Sequence, residues 1–311
     1  MGDYAALNRL DEAKSIYEQA VARKLESPYL HENRYAVAFL ESDTAEMKRQ
    51  VAWGMGKPAA EDVLLSTDSD TQAYAGHLAK ARELSRKAAE AAQRDQENET
   101  AALWLLNAAF REAEMGNSGE ARTQTAAALS VASTRDLQIL AGLILARAGD
   151  STRAEKLASD LRERSPLNTF LNRYWLPMIR AAVELNRGHP EQAIEHLQAT
   201  SDYDLASPPP NPGSGAPLYP VYLRGLAYLQ AGDARRSASE FQKLIDRRSI
   251  VQNAILGALA YLQLGRAQAK AVPGDLARAR QAYQDFLALW KDADRDIPVL
   301  KQAKAEYARL R

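Results

Sequence analysis

Apolar residues recur every three or four positions along the chain, and the pattern is clearest in residues 218–248. In the first half of this segment, one helical face would carry Leu218, Tyr222, Gly225, Leu226 and Leu229. In the second half, the corresponding stripe consists of Ala238, Phe241, Leu244 and Ile245. Gly232 and Asp233 lie between the stripes and predict a turn, with Asp233 capping the second helix. The segment therefore predicts two helices joined by a tight turn.

The residues at the key positions of this segment resemble those of the tetratricopeptide repeat, a helix-turn-helix unit of about 34 residues. Gly225, Tyr228, Gly232 and Phe241 occupy the small, aromatic, turn and aromatic positions of that motif. Small residues at Gly225 and Ala227 would let two helices approach closely. The resemblance implies a right-handed superhelix of antiparallel helix pairs.

Glycines at predicted turns recur along the chain, 33 to 44 residues apart: Gly76, Gly116, Gly149, Gly188, Gly232 and Gly274. Helix pairs are predicted around them and elsewhere, at residues 29–40 with 44–53, 99–115 with 119–132, 133–148 with 152–164, and 167–187 with 191–200. No apolar pattern has the period of two residues that a strand requires. The predicted fold is therefore an all-α solenoid of tetratricopeptide type.

Several segments interrupt this regularity. Residues 58–65 predict a short helix, 66–69 a break, and 70–94 a long alanine-rich helix. Pro177 should kink or end the helix in which it lies. The predicted organisation is a set of repeats in residues 1–200, a proline-rich loop in 201–217, and further repeats with a polar capping helix in 218–311.

The first repeat is predicted to be truncated. Residues 8–13 resemble the turn and second-helix start of a repeat, yet only seven residues precede that turn. The chain is therefore expected to begin inside a repeat. It would then be a piece of a longer protein, or its open reading frame would have been assigned too short. The alternative is that these residues form a short capping helix.

Composition narrows the classes of function. Among 311 residues, 46% are hydrophobic and 26% charged, which is typical of a globular protein. Lys and Arg balance Asp and Glu at 40 each, which argues against nucleic acid as the main partner. The chain has no Cys, so a disulfide or thiolate metal site is excluded. No apolar run is long enough to span a bilayer, so we expect a soluble chain whose compartment the sequence leaves open.

Three blocks also resemble the C-terminal half of bacterial serine/threonine protein kinases: LDEAKSIYEQAVARKLESPYLHENRY, ETAALW and AYQDFLALWKDADRDIPVLKQAKAEYARL. In that family, a kinase domain is followed by a membrane segment and a tetratricopeptide array, and a similar array follows winged-helix domains in bacterial transcriptional regulators. The resemblance implies a sensory region, outside the cytoplasm if that arrangement holds. The catalytic motifs of kinases are absent from the sequence, so no kinase activity is expected of this chain.

No cofactor site, metal site or catalytic residue is predicted. His189 and His196 lie seven residues apart, but an H-E-x-x-H pattern is absent and solvated helix-face residues are the favoured interpretation. An enzyme would need an acid/base or metal cluster in the groove, which the sequence does not show.

The concave face of such an array is where a protein or peptide partner would bind. First-helix positions predict that this groove is lined by Leu103, Leu106, Phe110, Ile139, Leu143, Arg147, Trp175, Met178, Asn186, Tyr219, Tyr222 and Gln230. The alternative is that these residues pack between repeats. The leading functional hypothesis is a protein-interaction scaffold, and the alternative is the sensory region of a receptor-type kinase or regulator.

Overall fold

The structure is a computed structural model that describes residues 1–206, 217–271 and 276–310. All regular elements in these residues are helices, and none of these residues lies in a strand. The predicted all-α array of helix pairs is therefore confirmed. These segments form helices that pack together because their apolar residues, spaced three and four apart in the sequence, fall on one face of a helix.

Successive helices pack against each other in chain order. The first repeats consist of α1 (Gly2–Ala6), α2 (Leu10–Ala22), α3 (Pro28–Glu41), α4 (Thr44–Gly54), α5 (Glu61–Tyr74), α6 (Leu78–Arg94), α7 (Asn98–Glu114) and α8 (Ser118–Val131). The middle repeats consist of α9 (Arg135–Arg147), α10 (Ser151–Arg164), α11 (Leu176–Arg187) and α12 (Pro190–Gln198). The last repeats consist of α13 (Tyr219–Gln230), α14 (Ala234–Asp246), α15 (Arg248–Val251), α16 (Ile255–Lys270), α17 (Leu276–Leu289) and α18 (Pro298–Ala308). We call α1–α8 the N-terminal arm and α13–α18 the C-terminal arm.

The turns form as their residues predict. Asp233 caps α14 by accepting a hydrogen bond from the Arg236 N–H at 2.9 Å, and Asp43 caps α4 in the same way. The turn glycines in the described residues, from Gly76 to Gly232, have φ values between 78° and 90°. Glycine adopts this left-handed conformation without the steric cost that a Cβ would impose. Gly274 lies outside the described residues.

The predicted break at residues 66–69 is wrong, because α5 runs through it from Glu61 to Tyr74. The hydroxyl of Thr67 donates to the Val63 carbonyl in its own helix at 2.9 Å, and that of Ser69 donates to the Ala81 carbonyl of α6 at 2.9 Å. Each hydroxyl therefore finds an acceptor without breaking the helix. The turn lies at Gly76 instead, between α5 and α6, so the predicted long helix 70–94 is two helices.

Pro177 changes the form of its helix without ending it. Proline has no N–H to donate to the carbonyl four residues earlier. Leu171–Trp175 form a π-helical turn, and regular α-helix resumes at Leu176, which places Pro177 in the first turn of α11. The widened turn accommodates the missing hydrogen bond.

The array curls until its last repeats contact its first. Asn253 Nδ2 donates to the Thr67 carbonyl at 2.9 Å, and Ser249 Oγ donates to the Ala6 carbonyl at 2.8 Å. Trp290 Nε1 donates to the Tyr74 carbonyl at 2.9 Å. One hydrophobic core cluster extends from Ala73 to Ala303. The two arms are therefore joined by buried apolar contacts and by hydrogen bonds.

The final helix, predicted to be a polar cap, contacts the N-terminal arm, and its capping role stays a prediction. The backbone N–H of Val299 donates to the Met115 carbonyl at 3.2 Å, and Val299 and Leu300 are buried. Just before α18, the Asp294 N–H donates to the Gly76 carbonyl at 3.0 Å. The end of the chain therefore packs onto the turns of the N-terminal arm, because the curvature of the array brings those turns within reach.

The hydrophobic core cluster contains residues from both predicted segments, 1–200 and 218–311. The boundaries of these segments stay a prediction. Most of the proline-rich loop, residues 207–216, lies outside the described residues.

At the other end of the array, Ala13 is the buried residue of α2, and Ile16 and Val21 are 37% and 36% exposed. The first repeat thus buries little of its apolar stripe.

Two helical glycines provide a matched test of the packing. A Cβ on Gly225 would lie 2.6 Å from Phe241 Cε1, whereas a Cβ on Gly119 would have nothing within 4 Å. We expect Gly225→Ala to lower the free energy of unfolding by about 1 to 3 kcal/mol through overpacking. Gly119→Ala should raise it by up to about 1 kcal/mol, since alanine favours helix. Urea unfolding of both variants measures this, and equal effects would contradict the close approach of α13 and α14.

Candidate functional site

Most of the predicted groove residues lie inside the protein. Phe110, Trp175, Met178, Tyr219 and Tyr222 are each at most 3% exposed. Their burial shows that the inner face of the array is filled by its own side chains in this structure. A role for any of them in partner binding stays a prediction.

The polar members of the predicted set contact the protein itself. Asn186 Nδ2 donates to the Ala146 carbonyl at 2.6 Å, and Gln230 Nε2 donates to the Leu185 carbonyl at 3.2 Å. Both side chains tie one repeat to the preceding one. Asn186 and Gln230 are nevertheless exposed, so they remain accessible from solvent.

Four of the predicted groove residues meet at the centre of the array. The Tyr219 ring lies 5.1 Å from that of Phe110 and 6.0 Å from that of Tyr222, measured between centroids. The Tyr222 ring in turn lies 5.8 Å from that of Phe241. This aromatic stack joins α7 of the N-terminal arm to α13 of the C-terminal arm. Arg147 also lies at this centre, where it donates hydrogen bonds to Glu114.

The carboxylate of Glu114 organises this centre, and the sequence analysis missed it. Arg147 donates to both Glu114 oxygens, at 2.6 and 3.0 Å, and the Tyr219 hydroxyl donates to Oε1 at 2.6 Å. Burial, and then Glu114, hold the pKa of Tyr219 well above its usual value. Burial disfavours the charge of Arg147, but Glu114 holds the pKa of that guanidinium above its usual range. The sequence contained one signal for this role, because Glu114 lies four residues after Phe110 and therefore on the same helix face.

An open cleft lies where the two arms meet, and we call it the inter-arm cleft. Its volume is about 730 Å³. It is lined by Phe39, Ser42, Thr44, Met47, Thr71, Tyr74, Ala75, Arg248, Tyr261, Asp285, Ala288 and Leu289. These residues come from α3–α5 on one side and α15–α17 on the other, so the cleft exists only because the array closes. The sequence analysis predicted none of these lining residues.

A second concavity continues the inter-arm cleft along α4. Its volume is about 470 Å³, and it shares Thr44, Met47, Thr71 and Ala75 with the cleft. Met47 and Val51 line it four residues apart on α4, and Met55 continues this apolar stripe directly after the helix ends. Met55 is 51% exposed. The two concavities form a continuous groove, which we call the α4 groove where it follows α4.

Hydrogen-bond donors are concentrated in the inter-arm cleft. Burial raises the pKa of Tyr74 to about 12, and Arg248 opposes this shift. Burial also raises the pKa of Tyr261, with Arg248 again opposing it. Both phenols therefore stay protonated at neutral pH, beside a guanidinium. The arrangement can hydrogen-bond an anionic group at the wall of a mostly apolar cleft.

An acidic group lies within the N-terminal arm. Burial, and then the charges of Asp70 and Asp62, raise the pKa of Glu32 to about 7. Asp62 accepts a hydrogen bond from Trp104 Nε1 at 2.9 Å, and Asp70 pairs with the buried Arg111. Glu32 is thus a carboxyl whose protonation changes near neutral pH.

Metal and membrane sites do not emerge from the described residues. No group of three or more His, Asp or Glu side chains in residues 1–206, 217–271 and 276–310 is arranged to hold a metal ion. His189 Nδ1 lies 2.9 Å from Glu184 Oε2, and burial, followed by Arg180, lowers the pKa of His196. Within the same ranges, no helix combines the length and apolar character needed to cross a bilayer.

Comparison with known proteins finds no matching family model and no matching curated protein. Among solved structures, a tetratricopeptide repeat protein from Parabacteroides merdae is similar to this chain, with 14% sequence identity and a TM-score of 0.46. The match covers 94% of this chain and 96% of the other.

Truncation of Tyr222 should affect stability. The side chain is 1% exposed and contacts Tyr219 and Phe241, so Tyr222→Ala leaves a cavity. We expect the free energy of unfolding to fall by about 3 to 5 kcal/mol. Tyr222→Phe keeps the ring and loses only the contact of its hydroxyl with Gln263 Nε2 at 3.4 Å, so a loss below about 1 kcal/mol is expected. Denaturant unfolding checks both, and an unchanged midpoint for Tyr222→Ala would show that the ring is not core.

Glu32 predicts a pH dependence of stability. Its pKa is about 7 in the folded protein against 4.5 ordinarily, so between these values the folded state binds more protons than the unfolded state. The free energy of unfolding should therefore fall as pH rises through this window, by about 1 to 3 kcal/mol. Glu32→Gln should remove this part of the slope, while Glu163→Gln, at an exposed site, should keep it. Parallel pH profiles for wild type and Glu32→Gln would refute the assignment.

Proposed function

We propose that this protein is a non-catalytic interaction scaffold that binds a segment of a partner protein in the inter-arm cleft. The fold supports this, since helical repeat arrays present extended surfaces for partners. The observation that carries the proposal is the contrast between two parts of the array. The centre is filled by the aromatic stack around Tyr219, whereas the cleft between Phe39 and Leu289 is open and mostly apolar.

The composition of the cleft also favours a protein segment. Its walls are largely aromatic and aliphatic, with a few polar groups that could orient a ligand. The methionine side chains of Met47 in the cleft and Met55 in the adjoining α4 groove adapt to varied apolar surfaces. A partner seated here would contact both arms at once, so its binding would stabilise the closed form of the array.

The predicted groove residues then have a different role from the one that the sequence suggested. Tyr219, Tyr222 and Phe110 would hold the arms together behind the cleft. Asn186 and Gln230, which are exposed, remain candidates for direct contact with a partner.

A second proposal rests on the resemblance of three sequence blocks to the arrays of bacterial serine/threonine kinases. The chain would then be the sensory part of a receptor-type kinase or of a winged-helix regulator, and the cleft would bind the molecule that it senses. The coding sequence upstream of Met1 distinguishes the two proposals. A kinase or winged-helix domain encoded in frame there would support the second proposal, and the absence of both domains would contradict it.

Filling the cleft tests the first proposal. Ala288 is exposed and lines the cleft, so a tryptophan there would occupy the space without entering the core. Any partner captured by the wild-type chain should be purified and its affinity measured. We expect Ala288→Trp to weaken that affinity at least about tenfold, the equivalent of about 1.4 kcal/mol.

The control for this experiment is Ala127→Trp, because Ala127 is exposed on α8, which does not line the cleft. Both variants should unfold at the wild-type temperature. If the partner binds Ala288→Trp as tightly as it binds the wild type, the binding site lies elsewhere on the array.

A further inference from the structure

Arg248 is a cation that lines the inter-arm cleft. It forms no ion pair with any residue in the described ranges of the chain. Its guanidinium lies 5.9 Å from the centroid of the Phe39 ring, and Nη2 lies 3.5 Å from the Phe39 carbonyl. The aromatic ring therefore holds the charge near the apolar wall and leaves most of its N–H donors available.

Two phenolic hydroxyls accompany this cation. Tyr74 comes from α5 and Tyr261 from α16, and both line the same cleft. Neither hydroxyl donates or accepts a hydrogen bond within the described part of the chain. Tyr74 and Tyr261 lie close enough for each to feel the charge of Arg248. One cation and two hydroxyls, supplied by both arms, thus form a set of donors that suits a carboxylate.

Asp285, on α17 of the same arm as Arg248, also lines the cleft and keeps it from being uniformly positive. Gln281 Nε2 donates to its Oδ1 at 2.8 Å. Asp285 influences Tyr261 in the sense opposite to Arg248. A ligand with a single acidic group on the side of Arg248, and neutral or basic groups toward Asp285, fits this distribution better than a polyanion does.

The α4 groove limits the shape of the ligand. Met47 lies in the first turn-and-a-half of α4 and Met55 directly follows its last residue, so the stripe runs along most of the helix, or about 12 Å at 1.5 Å per residue. Such a length matches about two turns of an amphipathic helix lying alongside α4, with apolar side chains at four-residue spacing. An isolated small anion would use the donors but leave this apolar stripe exposed.

We propose that the inter-arm cleft and the α4 groove together bind an amphipathic helix of a partner protein, anchored by an acidic side chain on Arg248, Tyr74 and Tyr261. The apolar face of that helix packs on Met47, Val51 and Met55. This inference rests on the proposed scaffold function and adds the chemistry of the partner.

The experiment uses a library of random 16-residue peptides displayed on phage, selected against the full chain. Enriched peptides should combine an Asp or Glu with apolar residues three and four positions apart. The best of them is then synthesised and titrated against the variants Arg248→Gln, Tyr74→Phe and Tyr261→Phe. We expect Arg248→Gln to weaken binding at least about tenfold and each Phe variant about threefold or more.

Controls separate the anchor from general effects. Arg295→Gln removes an exposed arginine outside the cleft and should leave the affinity unchanged. A peptide in which the acidic residue is replaced by its amide should bind wild type as weakly as the original peptide binds Arg248→Gln. Unfolding temperatures of all variants should match that of the wild type.

The outcomes distinguish this inference from the proposed function. If binding is lost in Ala288→Trp but kept in Arg248→Gln, the cleft is the site and the acidic anchor is wrong. If binding survives Ala288→Trp as well, the cleft itself is not the site. A selection that enriches no peptide above background overturns the helical-peptide proposal entirely.

Discussion

The buried carboxylate of Glu114 is the group on which the closure of the array depends. A charge out of contact with water is costly unless it is paired and hydrogen-bonded. Arg147 supplies two hydrogen bonds from the next repeat, and Tyr219 supplies another from 105 residues further along the chain. An array that opened at this point would separate Tyr219 from Glu114 and leave the carboxylate short of a donor. Closure thus completes a polar centre as well as burying apolar surface.

Closure also decides which surface is available to a partner. In an open superhelix, the residues that project from the first helices line the groove. Here Phe110, Tyr219 and Tyr222 pack on one another across the centre, and Asn253 and Trp290 join the last repeats to α5. Most of the inner face is therefore buried by contacts between the repeats themselves. What remains is the space between the ends of the two arms, where Arg248 and the tyrosines face an apolar cleft.

Glycine and small polar residues allow this tight arrangement. A Cβ on Gly76 would lie 2.5 Å from the Ala293 side chain and 2.9 Å from the Trp290 ring, so the turn after α5 can be covered closely by the end of the chain. Ser69 and Thr67, which look like helix breakers in the sequence, fit because their hydroxyls bond to helix carbonyls. The same residue types that suggest a loop in isolation therefore serve close packing in the folded chain.

The sequence by itself determined the local structure of this protein. The period of its apolar residues specified helices, and its turn glycines and capping aspartates specified where several of them end and begin, because these signals act within a few residues. Contacts between residues far apart in the chain were decided only by the tertiary structure. The pairing of Tyr219 with Glu114, the burial of the predicted groove and the position of α18 all follow from curvature accumulated over many repeats. Each repeat contributes a small rotation that the local pattern does not encode, so the inter-arm cleft appears only when the whole array is assembled.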